Sequence, residues 1–458
     1  MSTEAPPDLT GLRSTFAGEL IEPGDHSYDV ARHIWNGAID KRPRLVARCQ
    51  TVDDVGATIG FARRAGLELA VRGGAHSLPG FSTSDGGVVL DLSPMHAVQV
   101  DPEAGTARVA GGATWAQYDA ATDAHGLGST GGLISTTGVA GLTLGGGMGW
   151  LTRKHGLACD ELLSVELLTA DGTVLRASAE ENGELFWGLR GGGGNFGVVT
   201  SFEFRVQPVG TVLGGLVLFP SDRAAEIVRF YRDFIADLPD ELTTLLVATT
   251  APPLPFVPED LQFKPAIAIA ACYSGDPEEG ERVIKPLRDL GAPVEVLAPM
   301  PYPALQSMQD ESAPAGLHCY FKSGYLSELG DGAIDVVEEQ LAARAHPLSQ
   351  IHMHHMGGAF ARVGEDDTAL SGRDALITYN IVGMCETPEQ FEATRSWVRE
   401  TADRLGQFKM ERAYVNFMGD ADGGAEAAYG KSKYARLRAV KRRYDPENLF
   451  KLNQNVEP

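Results

Sequence analysis

The chain has 458 residues, and its 39 Lys and Arg against 61 Asp and Glu give a formal net charge of −22. A surface with this much negative charge repels phosphate backbones and anionic lipids. We therefore expect neither a nucleic-acid nor a membrane partner. The mean hydropathy of −0.11 is typical of a globular protein, and the length favours two domains.

Targeting and cysteine usage give two further expectations. Residues 1–7 are polar and lack the basic and apolar sections of a signal peptide, and no apolar run approaches the roughly 20 residues of a membrane helix. We therefore expect a cytoplasmic location. The cysteines are scattered without a CxxC spacing, which predicts neither a disulfide framework nor a zinc site; they are Cys49, Cys159, Cys272, Cys319 and Cys385.

The first half of the chain predicts alternating short strands and helices. A strand at 45–48 precedes Thr51, whose capping box opens a helix that runs through Ala65 and ends at Gly66. A second strand, 68–72, leads directly into Gly73-Gly74-Ala75-His76. The pattern continues with strands at 88–92, 97–100 and 106–110, a helix from Thr114 to His125, a hairpin at 163–177 around Asp171-Gly172, and a strand at 198–206.

Glycine is concentrated in three places of this half. The chain has 54 glycines, many of them in Gly73–Gly87, Gly126–Gly149 and Gly191–Gly197. Glycine allows tight turns and close approach of main chain to a ligand, so the clusters predict one large ligand held mainly by main-chain groups. Gly192-x-Gly194-x-x-Gly197 matches the dinucleotide fingerprint formally, but it precedes a strand, which argues against a Rossmann fold.

After Pro208 the pattern changes to longer strands and amphipathic helices, which predicts an antiparallel sheet covered by helices on one face. We expect strands at 215–219, 245–250, 266–272 and 377–384, and helices at 222–238, 278–290, 333–345 and 388–405.

Two polar motifs belong to the second half. His352-x-His354-His355 places His352 and His354 on one face of a strand, but no carboxylate lies at a suitable spacing, so we predict a pocket wall or hydrogen-bonded histidines and no metal site. Tyr414-Val415-Asn416 is expected on a strand, where Tyr414 and Asn416 point to the same side.

Several segments together resemble the berberine-bridge-enzyme-like branch of the vanillyl-alcohol-oxidase flavoproteins, which have a PCMH-type FAD-binding domain. The resemblance runs from Tyr28 through Pro458, and six segments carry it by their order and spacing: Arg42–Val46, Arg72–Gly80, Gly126–Asp160, Phe186–Thr200, Tyr414–Asn416 and Tyr444–Pro458.

The resemblance implies an α+β fold with three consecutive parts. Residues 1–208 would form the N-terminal part of the FAD-binding domain, which consists of two α/β subdomains. Residues 209–411 would form a substrate domain of antiparallel sheet covered by helices. Residues 412–458 would return to the FAD-binding domain.

The resemblance also implies the cofactor and its attachment. His76 matches the histidine that bonds covalently to FAD, whereas the position of a second, cysteinyl bond is Ile134, so a single histidyl link is expected. Ala75 replaces a usual glycine, and Thr137 lies where family members differ in oxygen access. The remaining cofactor-binding residues implied are Arg72, Gly73, Gly74, Ser77, Gly80, Gly138, Gly141, Gly145, Gly149, Val199, Asn416 and Asn453.

The implied activity is hydride transfer from a small organic substrate to flavin N5, with Tyr414 as the base. The substrate would be an alcohol, sugar, amine or phenolic natural product, and O2 would reoxidise the flavin to give H2O2. The alternatives are a dehydrogenase with a quinone-like acceptor and a non-catalytic flavin-binding protein. Strand placement alone adds the pocket candidates His318, Tyr320, His354 and Tyr379. The substrate identity and the oligomeric state are not indicated.

Overall fold

The N-terminal region forms a small sheet in a computed structural model of the chain, which describes residues 9–419 and 423–458. Residues 1–7, to which the signal-peptide argument applied, lie outside that part. The elements are α1 (Thr10–Arg13), β1 (Glu19–Ile21), α2 (Tyr28–Arg32), β2 (Leu45–Arg48), α3 (Val52–Ala65), β3 (Leu69–Arg72) and β4 (Val88–Asp91). The strand order is β1-β2-β4-β3, with β2, β3 and β4 parallel. Helix α3 begins with the expected capping box at Thr51 and ends at Gly66, whose φ is 63°.

A second, antiparallel sheet follows. The elements of this region are β5 (Val98–Asp101), β6 (Thr106–Ala110), α4 (Trp115–Asp123), β7 (Leu127–Gly128), α5 (Val139–Leu144), α6 (Thr152–His155), β8 (Leu162–Leu168), β9 (Val174–Ser178), α7 (Gly183–Leu189), β10 (Val198–Arg205) and β11 (Gln207–Pro208). The strand order of the sheet is β5-β6-β10-β8-β9, and its core includes Trp115, Phe202 and Phe204. The strands β7 and β11 form a separate pair.

The middle of the chain forms a large antiparallel sheet. Its elements are β12 (Thr211–Pro220), α8 (Ala224–Phe234), β13 (Leu242–Thr250), β14 (Pro265–Tyr273), α9 (Pro277–Asp289), β15 (Val294–Glu295), β16 (Ala298–Pro301), α10 (Tyr302–Gln306), β17 (His318–Leu326), α11 (Asp331–Ala342), β18 (Gln350–His355), α12 (Ala359–Arg362), β19 (Ile377–Cys385) and α13 (Pro388–Leu405). The strand order of the sheet is β15-β12-β14-β13-β18-β19-β17, and β16 also pairs with β12.

Helices cover one face of this sheet. Apolar side chains of α8, α9, α11 and α13 pack with alternate residues of the strands into one core, which includes Ile227, Ile334, Trp397, Met353 and Ile381. Because successive strand residues point to opposite faces, the neighbours of Met353 and Ile381 point to the other side. That side faces the N-terminal half of the chain.

The C-terminal segment returns to the N-terminal half. The helices α14 (Gly424–Tyr429) and α15 (Lys431–Tyr444) contribute Tyr429, Leu437 and Val440 to the core of the second sheet. The α+β fold class is therefore confirmed, whereas the domain limits at 208 and 412 remain predictions. Among the described helices, none combines the length and apolar character that crossing a membrane requires.

Candidate functional site

A cavity of about 410 Å³ lies between the two N-terminal sheets, the large sheet and the C-terminal tail. Its walls contain glycine-rich loops, apolar side chains such as Trp35 and Phe321, and a few neutral polar groups. No Asp, Glu, Lys or Arg of the described residues lines it. The described walls of the cavity therefore carry no formal charge, in a protein whose net charge is −22.

The loop after β3 forms one wall and holds His76. Ala75 has a φ of 60°, a conformation that side chains rarely adopt and that suits the glycine usual at this position. Within the described residues, no group accepts a hydrogen bond from the main-chain N–H of Gly74, Ala75 or His76. These three N–H groups form the donor-rich loop that the glycine pattern predicts for an anion.

The His76 imidazole is held by two neighbours. Its ring stacks on Trp35 with 5.1 Å between centroids and 19° between planes. Its Nε2 lies 2.9 Å from Thr136 Oγ1. Burial lowers the pKa of His76 to about 4, against which Asp310 acts weakly, so the ring is neutral at pH 7. A neutral imidazole has a free lone pair and is competent to form a covalent bond.

Close packing of two loops explains several of the glycines. A Cβ on Gly74 would lie 2.2 Å from Gly138 N, and a Cβ on Gly138 would lie 2.3 Å from Gly74 N. Gly141 is different, because it lines the cavity and a Cβ added there would meet no heavy atom within 4 Å. A side chain at Gly141 would therefore occupy cavity space.

Tyr414 also lines the cavity, and its hydroxyl oxygen accepts three hydrogen bonds. The donors are Gly147 N at 2.8 Å, Met148 N at 3.1 Å and Asn416 Nδ2 at 3.0 Å. Asn416 Nδ2 also donates to Leu142 O at 2.9 Å, and since a carbonyl only accepts, this bond defines the orientation of the amide. Burial raises the pKa of Tyr414 to about 12, although the three donors act in the opposite direction.

The predicted strand at Tyr414 is wrong. Residues Val415–Phe417 form a turn of 3-10 helix. The two side chains meet because Asn416 folds back onto the Tyr414 hydroxyl, and not because they alternate along a strand.

The large sheet provides the ceiling of the cavity, formed by Gln350, His352 and His354 of β18, Asn380, Val382 and Met384 of β19, and Phe321 of β17. His352 Nε2 lies 2.6 Å from Gln350 Oε1. Burial lowers the pKa of His352 to about 4 and that of His354 well below its usual value, so both rings are neutral. Phe417 packs on His354 and on Tyr414, with 5.6 and 5.0 Å between ring centroids.

Most residues predicted from the resemblance line this cavity: Gly73, Gly74, Ala75, His76, Ser77, Thr137, Gly138, Gly141, Gly145, Val199, Tyr414, Asn416 and Asn453. Arg72, Gly80 and Gly149 do not. The Arg72 guanidinium is buried and bonds to main-chain oxygens, including Ser82 O at 3.3 Å. A Cβ on Gly149 would lie 1.7 Å from Gly131 O, and one on Gly80 would lie 2.8 Å from Ile39, so both glycines serve packing.

Three of the four pocket candidates lie on the other face of the large sheet. Tyr320 and Tyr379 belong to the core beneath the helices, and His318 contacts Phe391 of α13 with 5.6 Å between ring centroids. The pleat of β17 places His318 and Tyr320 on the face opposite to that of Phe321, which faces the cavity. Of the four, only His354 faces the cavity.

Some cavity residues were not found from the sequence. Trp35, which lines the cavity and stacks on His76, belongs to no recognised motif, whereas Thr136, which bonds to His76, lies in the segment Gly126–Asp160 but was not singled out. Asn380 lies in the predicted strand 377–384, but nothing in that strand shows which of its faces meets the cavity. Gly147 and Met148 lie within a predicted glycine cluster, but their contact with Tyr414 spans more than 260 positions.

The residues present fit FAD. The unpaired N–H groups after β3 can receive the pyrophosphate without a basic side chain, and the open space at Gly141 leaves room for a ring system. The buried Asn453 Oδ1 has no described partner, which leaves an acceptor for a ligand N–H. His76 lies in the same wall as those N–H groups.

Two family models match the chain. The model described as FAD binding domain matches residues 43–178, and the model described as berberine and berberine like matches residues 413–457. An FAD-linked oxidoreductase of Dictyostelium discoideum is 30% identical over 93% of this chain and 91% of its own. The (R)-6-hydroxynicotine oxidase of Paenarthrobacter nicotinovorans is 31% identical over 96% of this chain and 97% of its own.

A solved structure also matches nearly the whole chain. The crystal structure of 6-hydroxy-D-nicotine oxidase from Arthrobacter nicotinovorans superposes with a TM-score of 0.87 and 28% identity, covering 97% of this chain and 98% of that one. Relatives of this similarity, over nearly their full length, share a fold and a cofactor. The chain therefore belongs to the berberine-bridge-enzyme-like family of FAD-linked oxidoreductases.

Proposed function

We propose that this enzyme carries its FAD on His76 and oxidises a small organic molecule, an alcohol, sugar, amine or phenolic natural product, with Tyr414 as the proton acceptor. The observation that carries the proposal is that one cavity, with no charged side chain among its described lining residues, is lined both by the His76 loop and by Tyr414, whose oxygen accepts three hydrogen bonds.

His76 would hold the flavin through a single bond. Its Nε2 is engaged by Thr136, so Nδ1 is the nitrogen left for the flavin methyl group. Ile134, at the position of a second bond in some family members, lines the cavity and has no nucleophilic atom. When bound, the flavin supplies the hydride acceptor.

Tyr414 would remove the substrate proton as a phenolate. Two main-chain N–H groups and one amide N–H point at its oxygen, which is the arrangement that stabilises an oxyanion in a cavity shielded from water. Its burial keeps the phenolate a minor species at neutral pH. The proposal therefore requires activity that increases as the pH rises.

The covalent link is tested by precipitating the purified protein with acid. We expect a yellow pellet, and a His76 peptide whose mass includes the flavin. A colourless pellet beneath a yellow supernatant, or an unmodified His76 peptide, would contradict the link.

O2 is proposed as the electron acceptor, with H2O2 as the product. Reduction without air followed by exposure to air tests this, because an oxidase recovers its flavin absorbance within seconds. Recovery over many minutes would instead indicate a dehydrogenase with a quinone-like acceptor. The same fold occurs in the grass pollen allergen Phl p 4, described with glucose dehydrogenase activity, at 22% identity and a TM-score of 0.83. That likeness shows the fold alone, so the air-exposure experiment decides between the two acceptors.

A further inference from the structure

The ceiling of the cavity includes two buried polar atoms that lack a hydrogen-bond partner. His354 Nε2 and Asn380 Oδ1 are both buried, and neither has a hydrogen-bond partner among the described residues. Buried polar atoms are normally paired, because leaving one unpaired costs the energy of removing it from water. Both atoms belong to residues that line the cavity, so a bound ligand is one source of the missing partners.

The two groups lie close together in the sheet. Asn380 pairs with His352 across β18 and β19, and His354 follows two positions later on the same face of β18. The rings of His352 and His354 are 5.8 Å apart. Gln350, which contacts His352, completes a row of four neutral groups that contains both donors and acceptors.

The charge of the cavity restricts what this row can bind. No described carboxylate lines the cavity to pair with an ammonium group, and no described Lys or Arg lines it to pair with a carboxylate. The two histidines are uncharged at neutral pH because they are buried. Among the described residues, a charged substrate would thus find no ionic partner after leaving water, which is strongly unfavourable.

We propose that the substrate is an uncharged alcohol with a largely apolar skeleton, whose hydroxyl groups bind the row Gln350, His352, His354 and Asn380. The inference rests on the proposed function and narrows its substrate class. It excludes the amines and carboxylic acids of the same skeleton. With FAD bound, the carbinol carbon would lose its hydrogen as a hydride to the flavin and the hydroxyl proton would pass to the Tyr414 phenolate, so that the alcohol would become an aldehyde or ketone.

The test uses matched ring compounds that differ in one group. Each skeleton is offered as the alcohol, the primary amine, the carboxylic acid and the deoxy compound; benzyl alcohol, benzylamine, benzoic acid and toluene are one such set. Isothermal titration calorimetry of the oxidised holoprotein without air measures binding at pH 7.5. Loss of flavin absorbance measures oxidation in the same samples.

We expect that, for the skeletons that bind, the alcohol binds more tightly than the other three members of its set, and that alcohols alone reduce the flavin. His354→Leu should weaken alcohol binding on the order of 10- to 100-fold and leave binding of the deoxy compound unchanged, since it removes one hydrogen bond. His318→Leu is the matched control on the opposite face of the sheet, and it should leave both affinities unchanged.

Two results would overturn the inference. One is an amine or acid that binds as tightly as its alcohol at pH 7.5. The other is an alcohol preference that His354→Leu and Asn380→Leu both leave intact. These outcomes are distinct from failure of the proposed function, in which the purified protein would contain no flavin absorbance that dithionite can bleach.

Discussion

Removing one hydrogen-bond donor from the Tyr414 oxygen should lower the activity without changing the form of its pH dependence. In wild type, the pKa of Tyr414 is raised to about 12, so kcat/KM should increase about tenfold per unit between about pH 7 and pH 10. Asn416→Leu keeps the size of the side chain and deletes the 3.0 Å bond to the hydroxyl. That bond stabilises the phenolate, so its loss raises the pKa further and lowers the phenolate fraction at any given pH.

The size of the effect follows from the bond. A hydrogen bond to a charged group contributes about 1.5–3 kcal/mol, and 1.36 kcal/mol corresponds to one pKa unit. Asn416→Leu should therefore reduce kcat/KM about 10- to 100-fold at each pH and retain the tenfold slope. Tyr414→Phe should reduce it about 10²- to 10⁴-fold and abolish the slope.

The assay is the rate of anaerobic flavin reduction by one oxidisable substrate, measured as a function of pH. Tyr325→Phe is the matched control, because Tyr325 is a fully buried tyrosine of the same core cluster that does not line the cavity. It should leave the pH profile unchanged. A wild-type profile that is flat over this range, or Tyr414→Phe within threefold of wild type, would refute the base role.

Three further predictions concern the flavin and the tail. His76→Ala should abolish acid-stable flavin completely, while dialysable FAD still binds through the main-chain N–H groups after β3; retained acid-stable flavin would assign the link elsewhere. Gly141→Ala should stabilise the apoprotein by about 0.5–1 kcal/mol, since Gly141 lies inside α5, and yet lower flavin loading because its methyl group enters the cavity. Lys441→Met should destabilise the protein by about 3–5 kcal/mol in urea unfolding, because it leaves the fully buried Asp445 without its 2.7 Å partner; Lys441→Met with Asp445→Asn should recover part of that loss.

Local signals predicted much of the secondary structure. The capping box at Thr51, the Asp171-Gly172 turn and the helix Pro388–Leu405 were all predicted from nearby residues, and the structure contains them. Such elements depend on contacts within a few positions along the chain, and these contacts can be read from a single sequence. Strand limits in the large sheet were predicted less well, because the strands extend beyond their apolar centres.

The orientation of strand residues in the large sheet could not be predicted in the same way. All nine residues of Ile377–Cys385 are buried, because helices cover one face of the sheet and the N-terminal half of the chain covers the other. The strand therefore has no alternation of polar and apolar residues to show which face meets the cavity. For that reason Tyr379 and Asn380 were indistinguishable as pocket residues until the sheet was assembled.

The glycine run before Met148 lies against the Tyr-x-Asn motif at Tyr414. Gly146 and Gly147 have φ values of 120° and 88°, which other residues rarely adopt, and this backbone directs the N–H groups of Gly147 and Met148 at the Tyr414 oxygen. A Cβ on Gly146 would lie 3.1 Å from the Tyr414 ring, and one on Gly147 would lie 2.6 Å from Ala158. The sequence pattern attributed these glycines to ligand contact alone. The backbone of Gly147 and Met148 also donates two of the three hydrogen bonds that the Tyr414 oxygen accepts, so the run and the distant Tyr-x-Asn motif form a single structural unit.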